Sequence, residues 1–115
     1  MATREEVQLF LQDFTTKMAF WGIIYLDQRG KNAQALLDLD ITPHSRKGYL
    51  EQLKVADYCE GPLEDTLNDG ADMWVFGMNI QGNEVYIKIT LGLQGKQVIC
   101  ISFHAAEYPM HYPYK

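Results

Sequence analysis

A chain of 115 residues, 47% of them hydrophobic, suits one domain with its own apolar core and excludes the polar, highly charged class that stays unfolded. A formal net charge of −5 excludes a broad, non-specific nucleic-acid surface, because such binding is driven by neutralising phosphates. No apolar run approaches the roughly 20 residues a membrane helix needs, and Glu5 and Glu6 stand where an export signal would be positive, so a cytoplasmic protein without membrane contact is expected.

Thr3 followed by Glu5 and Glu6 predicts a capped helix start, and Val7, Phe10, Leu11, Phe14 and Met18 recur at helical steps as one apolar stripe. Gly22 ends that helix, and Trp21 to Leu26 then reads as a short strand stopped by the turn residues Asp27-Gln28-Arg29-Gly30. Asn32 is expected to cap a second helix through Leu39, burying Ala35, Leu36 and Leu39. Thr42-Pro43 opens a third, to about Leu53, with Tyr49, Leu50 and Leu53 inward.

Residues 57–72 are acidic and carry the turn signals Gly61-Pro62 and Asn68-Asp69-Gly70, so a mobile loop is expected there. Glu60, Glu64, Asp65, Asp69 and Asp72 match no calcium-loop spacing, and no metal is expected. Cys59 and Cys100 read as two free thiols. The uneven charge falls here too: residues 1–56 are balanced, and residues 57–115 carry three basic and eight acidic side chains.

From residue 73 to 104 the period changes to two, predicting a three-stranded antiparallel meander with tight turns at Gln81-Gly82-Asn83 and Gln94-Gly95-Lys96. In the middle strand Val85, Ile87, Ile89 and Leu91 oppose Tyr86, Lys88 and Thr90. In the last, Ile99, Ile101 and Phe103 oppose Val98, Cys100, Ser102 and His104. The predicted fold class is therefore α+β, with helices and one short strand in 1–56 packed on a small antiparallel sheet. Residues 105–115 form a Tyr/Pro-rich tail in which Pro109 and Pro113 forbid helix or interior strand. It is expected to pack along the domain.

If the apolar sheet face meets the helices, Tyr86, Lys88, Ser102 and His104 look outward together. A phenol, an ammonium, a hydroxyl and an imidazole can cleave RNA without a metal or cofactor. One group takes the 2′-OH proton, one protonates the leaving oxygen, and a cation offsets charge growing on the phosphate. Each residue also has a plain reading as the solvated face of an alternating strand. Tyr108, His111, Tyr112 and Lys115 are candidate RNA contacts, the rings by stacking on bases.

Asp57-Tyr58-Cys59-Glu60, Met73-Trp74, Val85-Tyr86-Ile87-Lys88-Ile89-Thr90 and Val98-Ile99-Cys100-Ile101-Ser102-Phe103, in that order, resemble the MqsR family of toxins, with the longer tail of a divergent branch. The resemblance covers about half the chain. It implies a RelE-like fold and an endoribonuclease (an mRNA interferase) of a bacterial toxin–antitoxin pair. Its partners would be mRNA, free or on the ribosome, and a cognate antitoxin protein. It places the catalytic tyrosine on Tyr86 and keeps the lysine after it as Lys88. Glu60 stands where the family has a catalytic lysine, and Val75 where it has a glutamine. Two readings follow: His104 and the tail supply the missing chemistry, or the chain is a catalytically silent domain that binds a small protein partner.

Overall fold

The computed structural model describes residues 1–27, 30–65 and 70–115, so the turn signals at Gln28-Arg29 and Asn68-Asp69, and Asp69 of the acidic run, lie outside the described residues. Helix α1 (Arg4–Trp21) begins on the predicted capping box: the Thr3 hydroxyl accepts from the Glu6 N–H, and the Glu6 carboxylate accepts from the Thr3 N–H. Val7, Phe10, Leu11, Phe14 and Met18 are its buried residues, as the spacing predicts. Gly22, at φ +89°, closes it. Helix α2 (Gly30–Asp38) buries Ala35 and leaves Leu36 only partly covered, with Leu39 buried just beyond. Helix α3 (Pro43–Glu51) starts on Thr42, whose hydroxyl accepts from the Ser45 N–H.

The sheet has five strands in the order β1-β5-β4-β3-β2. These are β1 (Ile23–Tyr25), β2 (Tyr58–Leu63), β3 (Met73–Ile80), β4 (Asn83–Thr90) and β5 (Val98–Ala105). The predicted meander is β3-β4-β5, and β1 joins it in parallel alongside β5. The sheet is larger and more mixed than its sequence pattern predicts. Residues 57–72 are not one loop: a 3-10 turn (Val55–Asp57) leads into β2, which pairs antiparallel with β3. Two register shifts, between Tyr58 and Glu60 and between Glu60 and Leu63, erase the alternation that would reveal a strand. At the β3–β4 hairpin Gln81 and Gly82 both take positive φ, the geometry a two-residue turn requires.

The core lies between one face of the sheet and the helices. Phe10 stacks on Trp74 with ring centroids 4.5 Å apart, and Val85, Ile87, Ile89 and Phe103 are wholly buried. The strand-face assignment is corrected for half of β5. A bulge at Ile101, between the pairs Ile89↔Cys100 and Lys88↔Ser102, shifts the side-chain parity. Val98 and Cys100 therefore join the core, while Ser102 and His104 keep the opposite face. Asn32 is not a cap. It sits inside α2, 2% exposed, and reaches across to β5 and Leu26. Among the described residues no helix is long and apolar enough to cross a membrane.

Candidate functional site

Two cross-strand rows build the outer face of the sheet. Glu60, Val75, Lys88 and Ser102 stand side by side across β2, β3, β4 and β5, and Gly77, Tyr86 and His104 form the row beside them. Both ends of the first row depend on bulges. Without the shift after Tyr58, Glu60 would share the inward face of Tyr58, and without the bulge at Ile101, Ser102 and His104 would follow Cys100 into the core. The tail closes one side. Apart from Gly77, these row residues and tail residues 107–111 line a groove of about 560 Å³.

The groove brings together six of the residues singled out from sequence: Tyr86, Lys88, Ser102, His104, Tyr108 and His111. Tyr86 and His104 lie ring on ring, centroids 5.3 Å apart and planes 15° apart. The His104 Nδ1 is 2.9 Å from the Ala105 carbonyl, which can only accept, so this nitrogen carries the proton and Nε2 is left for chemistry. Burial raises the pKa of Tyr86 above its ordinary value, and the charge of Glu60 and the nearby Cys59 add to this. The phenol is thus held protonated, a donor rather than a base. Burial likewise pushes the Cys59 thiol up to about 12, which removes it as a nucleophile. Tyr108 is 79% exposed at the groove's edge, where a base could stack on it.

Tyr112 and Lys115 are not brought to this groove. They line a separate depression of about 320 Å³ with Lys54, Asp57 and Glu84. The Tyr112 hydroxyl donates to the Glu84 carboxylate at 2.8 Å, and the Lys115 ammonium stands 4.8 Å over the Tyr112 ring. Their work is to hold the tail down. Glu84 also accepts from the Met110 N–H at 3.3 Å, Lys31 pairs with Glu107, and Tyr114 stacks on Tyr58 while donating to the Ala2 carbonyl. The tail packs along the domain, as its composition predicts.

Two placements have no sequence signature: Glu60 lines the groove, and Gly77 lies under the tail. A Cβ on Gly77 would lie 2.3 Å from the Tyr112 oxygen and 2.9 Å from the Met110 sulfur. Gly77→Ala is therefore expected to lift the tail and cost about 1–3 kcal/mol by overpacking. Faster amide exchange at Met110 and Tyr112, with the β3–β4 amides unchanged, is the check.

Comparison with protein-family models, with curated proteins and with solved structures finds no match to this chain.

Proposed function

We propose that this protein is a metal-independent endoribonuclease that cleaves mRNA, the toxin of a toxin–antitoxin pair. What carries the reading is the meeting, in one open groove, of the stacked Tyr86–His104 pair with Lys88. The imidazole supplies proton transfer through Nε2, the protonated phenol donates to a phosphate or leaving oxygen, and the ammonium offsets charge on phosphorus. The toxin setting rests on the resemblance of residues 57–60, 73–74, 85–90 and 98–103 to MqsR-family toxins.

A second reading, the catalytically silent interaction domain, has its own support in Glu60 and Val75. One places a negative charge beside the phosphate position and the other offers it no hydrogen bond. RNA cleavage separates the two. Purified protein in a metal-free buffer, with and without ribosomes, should convert single-stranded RNA to fragments ending in 2′,3′-cyclic phosphate. His104→Ala should slow cleavage by about 10²–10⁴-fold, and Tyr86→Phe by a smaller factor. No cleavage under either condition, with no growth defect on expression, would leave the silent domain standing.

A further inference from the structure

Among the described residues, Glu60 is the one carboxylate of the groove that no ion pair engages: the other, Glu107, is held by Lys31, which keeps its pKa below the ordinary value. Glu60 stands on β2, one bank of the groove, and His104 on β5, the opposite bank. Three strand spacings separate those banks, about 14 Å between backbones. Side chains of glutamate and histidine length reaching in from each side leave a gap on the scale of one phosphodiester. Lys88 and Tyr86 form the floor between them on β4.

We infer that Glu60 is the general base and His104 the general acid of a carboxylate–imidazole pair that cleaves RNA across this groove. The assignment rests on the ribonuclease reading above and turns its strongest objection, the acidic residue at a lysine position, into the missing half of the chemistry. The Glu60 carboxylate takes the proton of the ribose 2′-OH. The 2′-oxygen attacks phosphorus as the bond from phosphorus to the 5′-oxygen breaks. His104, entering as imidazolium, gives its Nε2 proton to that leaving oxygen while Nδ1 stays on the Ala105 carbonyl. The products are a 2′,3′-cyclic phosphate and a free 5′-hydroxyl. The enzyme ends with Glu60 protonated and His104 neutral, and exchange with solvent restores both. Lys88 offsets the charge that gathers on the non-bridging oxygens.

The groups facing Glu60 define the pH behaviour. On the sheet these are Cys59, Tyr86, Lys88 and His104; from the tail, Glu107, Tyr108 and His111. Burial holds Cys59 and Tyr86 protonated, and Lys31 holds Glu107 in an ion pair, which leaves Glu60 as the groove carboxylate assigned to take the proton.

The test uses the full chain with two substrates: a ribodinucleotide, and a uridine 3′-phosphate ester of 4-nitrophenol, whose leaving group needs no proton. The wild type should give a bell-shaped profile on the dinucleotide. Glu60→Gln should lose about 10²–10⁴-fold on both substrates and lose the acid-side limb, whereas Glu107→Gln keeps that limb. His104→Ala should fail on the dinucleotide and recover on the nitrophenyl ester. Because Glu60 is exposed, the variant keeps the fold, which a thermal melt verifies. Rescue of Glu60→Gln by the nitrophenyl ester, or survival of its acid limb, overturns the base assignment and leaves the ribonuclease intact. A wild type inactive on both substrates, and on single-stranded RNA with ribosomes present, overturns the two readings together.

Discussion

Replacing Asn32 with alanine is expected to lower the unfolding free energy by about 4 kcal/mol and to disable the groove along with the fold. The side-chain amide of Asn32 donates to the Ile101 carbonyl at 2.8 Å and to the Leu26 carbonyl at 3.0 Å, and its oxygen accepts from the Phe103 N–H at 3.1 Å. Two of those three partners, the Ile101 carbonyl and the Phe103 N–H, lie on β5 at and just past the bulge, beyond the last β1–β5 pair, Tyr25↔Cys100. α2 thus supplies from a side chain what β1, which ends at Tyr25, does not. Alanine leaves a buried donor and two acceptors unmatched, at about 1–3 kcal/mol each before any water enters. Asn32→Asp is the informative control. It keeps the shape and the acceptor for Phe103 but sets a charge against two carbonyls, so it should destabilise at least as much as alanine. Urea unfolding at constant m measures both. If Asp is tolerated, packing rather than hydrogen bonding holds the bulge.

The same bulge marks the limit of what alternation reveals. The α1 stripe, the Thr42 cap and the inward face of β4 are legible because each is a local pattern that tertiary structure leaves undisturbed. β5 is legible only from the bulge onward. Phe103 goes inward, and Ser102 and His104 go outward, as period two predicts. One residue earlier the parity is reversed, so Val98 and Cys100 enter the core. An extra residue in one strand has no composition signature, and nothing local separates Ile99 from Cys100. β2 is harder still, with two register shifts in six residues and Gly61-Pro62 in its middle. This is why Tyr86, Lys88 and His104 could be grouped from sequence while Glu60 read as a lost lysine in a loop. Its place beside them exists only once β2 pairs with β3. Asn32 was hidden for another reason: an asparagine at a helix start has a common local use as a cap, and its partners here are 69 and 71 residues away.

The second large effect lies at the far edge of the sheet, where Arg46 on α3 is 2% exposed. Its guanidinium makes a two-point pair with Asp27, at 2.8 and 3.0 Å, and lies 3.5 Å over the Tyr25 ring. Burial works against the charge, but the hydrogen bonds and charge of the Asp27 carboxylate outweigh it and the guanidinium pKa is raised. The two partners are not equivalent, since the Asp27 side chain is 41% exposed. Removing the carboxylate strands a charge in the interior, and Asp27→Ala should cost about 3 kcal/mol. Arg46→Met takes that charge away, fills much of the same volume and leaves an aspartate that water can solvate, so about 1 kcal/mol is expected. Denaturant midpoints of the two variants, with equal m, decide the order. The larger loss on the side of Asp27 would show that the pair neutralises a cation the fold already buries, with the stacking on Tyr25 fixing α3 against β1. The reverse order would mean that the guanidinium itself holds the edge strand in place.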